Sequence, residues 1–582
     1  MPLGVILFRL IKARLDNHDN LAEYLSDHLA HMIANLAETA SEEEWREHEG
    51  RCKRCVAYVL QFEMEKEYVV ITKEGIDVEK VDVQLREPGG NALIPHRECT
   101  CANPQKHNDR ITHWMLTDEE AENLRQDIRI LEVDIPVEEK EDVAFGYNAR
   151  AESLTFDKTF TASNVNWGLS RCTSATNNFG DGVDTVTEDY LYALDGEGVD
   201  VVIMDSGIEA NHPEWEDANG NSRLRQIDWY AESNGAISGT LGSNFYTDTD
   251  GHGTFCAGIV AGKTYGWAKG ADIYSMKIFD SSAIGVAEGL DLIGHWHNNK
   301  GTGRQTIVNM SFGYYNSIDV GAQAGDTGRF WNGTSWVDWT YGTGNYNSAS
   351  NIAYRTNISQ YSSTSLRVTS IDTRIDQMIA AGIHVVVAGG NNFDVQFLDT
   401  ATADDNYNDY FQRGGGTYYY HRGSSPRTSN NGNEIVVGNI ASALREAKEQ
   451  PRNSSARGPA IDIWAPGTYI TSATSTNNTN NVFADYPSDS NFKIANNTGT
   501  SFAAPQVCGL GAMYLQLYPT LTPAQLKEKM IYDSKKDLFF DRTESEYNEE
   551  TKYSYVYEGG FFDAPKRMLY NRFSGDMMVK WS

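Results

Sequence analysis

Positive charge is scarce in this sequence. Lys and Arg number 49 against 80 Asp and Glu, a formal net charge of −31 at pH 7. Binding a phosphate backbone needs a basic surface, so nucleic acid is excluded as a partner. Acidity of this size fits an extracellular, saline or cation-rich setting, or simply a well-solvated surface. Long apolar runs are missing too. The run Leu3–Phe8 is interrupted by Arg9 and Lys12 and no small-residue cleavage site follows, so neither a signal peptide nor a membrane span is expected. Cysteines are few and odd in number: Cys52, Cys55, Cys99, Cys101, Cys172, Cys256 and Cys508. The first two pairs, with His48 and His96 nearby, carry metal-ligand character, but the Cys99-x-Cys101 spacing is poor for zinc and scattered free thiols are the favoured reading.

What is present describes a globular, loop-rich chain with room for several domains: 582 residues with 51 Gly, 31 Tyr and 12 Trp. Residues 1–63 read as a helical segment, with Leu21, Tyr24, Leu25, His28, Leu29, Met32, Ile33 and Leu36 on one apolar stripe and no recognisable chemistry. Residues 64–137 alternate strand and helix: Tyr68–Thr72 as strand, Ile76–Leu85 as helix, Arg110–Leu116 as strand. Thr117 to Glu120 is a capping box for a helix carrying Ala121, Leu124 and Ile128, and Ile130–Ile135 closes as a strand. This predicts a small α+β domain. Residues 138–163, acidic and then polar, read as a linker.

Beyond Val165 short apolar runs alternate with helical patterns. Val199–Met204, Ile273–Phe279, Thr306–Met310, His384–Val387 and Glu434–Val437 have the texture of strands buried on both faces, with Ile284–Trp296 and Ile371–Ala381 as crossover helices. The fold class is therefore α/β with a mainly parallel sheet. Functional residues in such sheets gather at the strands' carboxyl ends.

Four residues stand at such punctuation. Asp205 directly follows the strand VDVVIM, where a partly desolvated carboxylate holds an imidazole in one tautomer. His252 lies between Gly251 and Gly253 at a helix start, and those glycines are expected to leave its ring accessible. Asn391 follows the turn Ala388-Gly389-Gly390, where a side-chain amide can donate to an oxyanion. Ser501, in Gly499-Thr500-Ser501, opens the helical run Val507–Tyr518, where unpaired N–H groups and the helix dipole favour a developing anion. Pro505 is expected to be tolerated as part of the first turn. A lone Gly-Thr-Ser is more often a helix cap, a lone Asp a turn residue, a lone His structural. Together, in the chain order Asp, His, Ser, they match one known arrangement of the serine-hydrolase triad.

The carrying motifs are VVIMDSGIEANHP, DGHGTFCAG, VNMSFG, AGGNN, RGPAIDIWAPG and GTSFAAPQVCGL. From Asn164 to about Asp533 the chain resembles the subtilisin-like serine peptidases (peptidase S8), in their proteinase K-like branch; GKTYGWAKGADIYSMKIF and Cys256 also resemble that branch. The resemblance implies a three-layer subtilisin-like domain over 164–533, with Ser501 as nucleophile, His252 as general base and then acid, Asp205 as its orienter and Asn391 as oxyanion donor. It also implies that Ser311, Phe312 and Gly313, with Ala388, Gly389 and Gly390, flank the first acyl-side residue of a polypeptide substrate. Residues 64–137 resemble the ferredoxin-like inhibitory propeptide of these enzymes, above all in HWMLTDEEAENLRQDIRILEVDIP, which implies a self-processed zymogen inhibited by its own prodomain. Such chains are also similar to peptidases of marine tailed phages. No cofactor is implied for the chemistry and no catalytic metal; structural calcium occurs in the family at sites the sequence does not locate, and Asp404, Asp405 and Asp409 read as a solvated acidic loop rather than as ligands.

Three features depart from the family pattern. The Gly-Ser-Gly edge strand is not evident in 280–285. Two insertions rich in Tyr, Trp, Gly and Asn, 314–363 and 393–433, follow the cleft-lining segments and are expected to overhang the cleft. The usual calcium loop near the catalytic helix is absent. The tail 534–582, charged and aromatic, either packs on the domain or mediates association. Against the endopeptidase stands a structural or virion-associated assembly protein acting only on itself; an esterase of the α/β-hydrolase type would need a Gly-x-Ser-x-Gly elbow, which is lacking here. An extracellular or virion-associated location is favoured over a membrane.

Overall fold

A computed structural model of the chain describes residues 65–87, 94, 99–103, 110–136, 143–146, 166–173, 192, 194–316, 323–331, 335–347, 364–391, 409–421, 423–429, 432–445, 447–478, 482–536, 538–540, 561 and 564–573. The helical reading of 1–63, with Cys52 and Cys55, lies outside the described residues, as do Asp404 and Asp405. The chain divides into two compact units, residues 1–104 with 112–135, and residues 105–111 with 136–582.

The smaller unit runs β1 (Glu65–Thr72), α1 (Val78–Arg86), β2 (Thr100–Asn103), β3 (Ile111–Thr117), α2 (Asp118–Leu124) and β4 (Ile130–Asp134). Its strands lie in the order β2-β3-β1-β4, a ferredoxin-like β-α-β-β-α-β unit. The capping box at Thr117 is formed. Glu120 N–H donates to Thr117 Oγ1 at 3.2 Å, and Thr117 N–H to the Glu120 carboxylate at 2.8 Å. Val70, Val81, Leu85, Trp114, Leu116, Ala121 and Leu124 close its core. β2 supplies the strand whose residues the sequence reading left unnamed, and Cys99 beside it packs in the core. One expectation changes. Ile128, expected on the helical stripe, is 85% exposed, because α2 stops at Leu124 and Asp127 turns the chain by accepting from Arg129 N–H at 2.9 Å.

The larger unit opens with β5 (Val143–Gly146), α3 (Trp167–Arg171), β6 (Asp200–Asp205), β7 (Leu224–Arg225), α4 (Trp229–Glu232), α5 (His252–Ala261) and β8 (Asp272–Lys277). There follow α6 (Val286–Asn299), β9 (Thr306–Met310), β10 (Gly313–Asn316), β11 (Thr327–Trp331), β12 (Trp336–Thr340), β13 (Thr364–Ser365) and α7 (Thr369–Ala380). Next come β14 (His384–Ala388), β15 (Asp409–Arg413), β16 (Gly416–Tyr420), β17 (Ile435–Ile440) and β18 (Ile463–Pro466). The unit closes with β19 (Ile470–Thr474), β20 (Val482–Tyr486), β21 (Asp489–Asn497), α8 (Thr500–Leu517) and α9 (Pro523–Asp533).

Seven of these strands form one parallel sheet in the order β18-β17-β14-β9-β6-β8-β7. The five strands read from the sequence are β6, β8, β9, β14 and β17. Every residue of β6, β9, β14 and β17 is buried, as strands covered on both faces require. α8 packs against β9, β14 and β17 with α5 beside it, while α6 packs with α7 and α4. This is the three-layer α/β fold expected. From β6 the chain lays β7 at the sheet edge and β8 between β7 and β6, then crosses to lay β9 on the other side of β6. That reversal is a topological switch point, where ligand sites of such sheets lie.

The two insertions meet. β11 and β12 from the first and β15 and β16 from the second form one antiparallel sheet, β12-β11-β15-β16, closed by Phe330, Trp339 and Phe411. β10 lies between β13 and β5 in a separate three-stranded sheet. Asp409, read as part of a solvated acidic loop, is instead fully buried at the start of β15. The tail takes the packing option: Phe561, Ala564, Met568 and Leu569 join the main core, and Trp464 of β18 donates its N–H to Arg567 O while accepting from Leu569 N–H, each at 2.8 Å.

Candidate active site

Asp205 ends β6 and is fully buried. Its Oδ1 lies 2.8 Å from His252 Nδ1 and also accepts Ser206 N–H at 2.7 Å. His252 is the first residue of α5. The glycines around it serve the backbone, contrary to the expectation that they expose the ring, which is only 8% exposed. Gly251 has φ +99, where a side chain is strained, and a Cβ at Gly253 would stand 2.1 Å from Gly207 O.

Sequence reasoning missed Asp248, which ties this turn together. It accepts from Gly251 N–H at 2.8 Å, Thr254 N–H at 2.9 Å, Thr254 Oγ1 at 2.6 Å and Ser206 Oγ at 2.9 Å. Ser206 Oγ in turn accepts Gly253 N–H at 2.8 Å. Burial pushes the Asp248 carboxyl up and these donors oppose the shift. The available signal was an Asp near a helix start, which is common everywhere.

Burial disfavours charge on His252, but the Asp205 carboxylate against its ring outweighs it and holds the imidazole well above its ordinary pKa. One helical turn on, the Cys256 sulfur sits 3.9 Å from His252 Nδ1 and donates to Ser501 O at 3.4 Å. Burial raises that thiol, so it stays protonated and acts on its neighbours as a weak hydrogen-bonding group rather than as a charge.

Ser501 is the second residue of α8, and its Oγ donates to Ser311 O at 3.2 Å. Pro505 is the sixth helical residue, not part of the first turn as expected. Lacking an N–H, it leaves the carbonyl four residues back, that of Ser501, without its helical partner. Ser311 Oγ, at 2.9 Å, and the Cys256 thiol occupy that carbonyl instead. The proline thus fastens the serine turn to both β9's exit and α5.

Asn391 follows β14. Its carboxamide oxygen accepts Thr500 N–H at 2.9 Å and Thr500 Oγ1 at 3.0 Å, and Thr500 Oγ1 accepts Gly390 N–H at 3.0 Å. With the oxygen fixed on Thr500, the nitrogen lies 3.3 Å from where a Cβ of Gly499 would stand, two residues from Ser501. Ser311, Phe312 and Gly313 leave β9, while Ala388, Gly389 and Gly390 end and leave β14. Those strands are neighbours, with Val387 opposite Met310, so all six emerge at one end of the sheet. After β8, 280–285 forms bends and a turn instead of an edge strand. Asp280 has φ +82 and accepts from Lys277 and from Ser282 N–H, each at 2.7 Å. Partial burial works against its charge, but these donors win and draw its carboxyl down to about 2.

Asp205, His252 and Cys256 are the one tight group of potential metal ligands among the described residues. Its mixed oxygen, nitrogen and sulfur donors do not fit calcium, which takes six to eight oxygens. Among the described residues, no helix is long and apolar enough to cross a membrane.

A buried carboxylate–imidazole pair, with a serine in the first turn of a long helix and an amide near it, defines a class: an α/β protein with a formed Asp205–His252 pair and a helix-terminal serine whose hydroxyl bonds Ser311 O, in the chain order Asp, His, Ser. Residues 196–551 match the subtilase family, peptidase S8, and the chain belongs to that family. It is 27% identical over 410 residues to the subtilisin-like protease 8 of Trichophyton verrucosum, covering 66% of this chain and 60% of that one. With the extracellular serine proteinase of a Thermus species it shares 26% identity over 424 residues, covering 72% and 69%. Among solved structures it is similar to a cold-adapted subtilisin-like serine proteinase, at 19% identity, 70% and 98% coverage and a TM-score of 0.39. The chain thus spans about three fifths of the length of the first of these relatives.

Proposed function

We propose that this chain is a serine endopeptidase that hydrolyses peptide bonds through an acyl-enzyme. One observation carries the reading: the Asp205–His252 pair at 2.8 Å, joined through Cys256 to the peptide of Ser501. Ser501 Oγ attacks the substrate carbonyl carbon, and His252 Nε2 takes its proton and passes it to the leaving amine. Asp205 holds the imidazole in the tautomer with Nδ1–H and stabilises the imidazolium. Asn391 and the Ser501 N–H, at the positive end of α8, receive the oxyanion. Segments 311–313 and 388–390 flank the first acyl-side residue.

On this reading residues 64–137 are an inhibitory prodomain, 138–163 the processed linker and 164–533 the peptidase domain, made as a zymogen. The substrate is polypeptide. Structural calcium is not needed for the chemistry, and the protein acts outside the cell or on a virion. Wild type and Ser501→Ala, both expressed full-length, test this. The wild type should process its linker and digest added unfolded protein, and Ser501→Ala should do neither. Equal digestion by both proteins would overturn the reading. Linker processing without digestion of added protein would favour the self-processing assembly protein.

A further inference from the structure

We infer that the ammonium of Lys527 is a built-in structural cation. It fills an oxygen site at the amino ends of β17 and β18 that would otherwise need a metal ion. The site is separate from the chemistry of Ser501.

Lys527 lies in α9, and its Nζ reaches three oxygens outside that helix. It donates to the main-chain carbonyls of Gly432 at 2.5 Å and Glu434 at 2.8 Å, and stands 2.7 Å from Asp462 Oδ2. An ammonium carries three N–H donors and no acceptor, so each donor has one oxygen. Those oxygens belong to two separate stretches of chain: Glu434 directly precedes β17, and Asp462 directly precedes β18. Carbonyls of alternate residues and a carboxylate are the donor types that hard cations such as calcium take. Here the position between them already holds a charge, on a side chain only 12% exposed.

Two buried carboxylates need that charge. Asp462 and Glu434 both lie out of contact with solvent. Burial pushes the Asp462 carboxyl up, and Lys527 leads the groups that oppose it. Burial works against the Glu434 anion too, but Lys527, the Thr428 hydroxyl and Arg427 outweigh it and hold that carboxyl below its ordinary range. The carboxylates in turn fix backbone. Glu434 accepts Thr428 N–H at 3.1 Å and Thr428 Oγ1 at 2.6 Å, and Asp462 Oδ2 accepts Val436 N–H at 2.9 Å. Through them the ammonium fastens α9 and the chain's return from its second insertion to two neighbouring strands of the sheet. A bound ion stabilises by mass action and is lost when a chelator lowers its free concentration; a tethered ammonium has no such dependence. In the native chain these oxygens therefore do not fit calcium, and their hold on β17 and β18 is independent of it.

Melting temperatures of the full-length chain test this, with calcium and EDTA as probes and Ser501→Ala as the parent to exclude self-digestion. Lys527→Ala removes the ammonium and opens the space it filled; Lys527→Gln keeps much of the bulk without the charge. Both should melt below the parent in EDTA, because removing one partner strands buried charge. Calcium should raise Lys527→Ala by more than it raises the parent, whose own response accounts for any ion held elsewhere. Lys527→Gln melting with the parent in EDTA would show that the charge is not needed. Failure of calcium to recover Lys527→Ala beyond the parent's response, whether or not that variant folds, would show that the oxygens form no cation site. Either result overturns the assignment.

Discussion

On the proposed mechanism Asp205 and His252 govern how the site responds to pH. Only neutral His252 can take the Ser501 proton, and Asp205 holds its pKa above the ordinary histidine value. Activity should therefore rise with pH along a limb lying above about 6.5. Asp205→Asn removes the anion, so that limb should shift to lower pH while kcat falls about 10⁴-fold. A kcat/KM–pH profile of both proteins checks the direction. On the same reading Asn391 stabilises the oxyanion formed as Ser501 attacks. Asn391→Leu should cost about 10²–10³ in kcat with little change in KM, the size typical of losing one oxyanion donor. Steady-state kinetics on a peptide substrate measure it, and a loss confined to KM would speak against an oxyanion role. The four candidate residues stood out in the sequence because each follows a strand or a glycine turn. Asp248 and the Ser311 hydroxyl were not. The Ser311–Ser501 contact joins positions 190 residues apart, and no local pattern records it.

At the scale of elements, α8 shows why a helix breaker was retained. Pro505 removes the donor that would otherwise bond Ser501 O, and Ser311 and Cys256 hold that carbonyl in its place. Pro505→Ala would return the donor and let the helix compete for the carbonyl. The expected result is an unchanged or raised melting temperature with kcat reduced, by up to about 10²-fold for a misplacement near 1 Å. Circular dichroism melts with parallel kinetics separate the two effects; an unchanged kcat would mean the carbonyl's partners do not position the serine. The core strands were readable because two-sided burial demands unbroken apolar runs. The sheet formed jointly by the two insertions was not, since pairing β11 with β15 depends on residues about eighty positions apart whose alternation is masked by tyrosines and glycines. β5 was hidden for a related reason: within an acidic linker, only the edge of β10 makes it a strand.

The molecule as a whole carries a large acidic excess, yet its acid sensitivity should come from buried imidazoles. Burial lowers His297 to about 4 and His384 to about 3. Between these values and about 6.5 the two imidazoles bind protons when unfolded that they refuse when folded. Their contribution to stability therefore rises with pH across that window and falls on acidification, while Asp376, raised by burial to about 7, works in the opposite sense. Urea midpoints at pH 4.5 should lie below those at pH 7, and His297→Gln should narrow the gap. The central claim is that Ser501, activated by His252, is the nucleophile. Site-resolved mass spectrometry after treatment with a fluorophosphonate tests it most directly. The predicted result is one stoichiometric adduct on the peptide containing Ser501, lost in His252→Ala; an adduct on another serine, or labelling that survives His252→Ala, would contradict it.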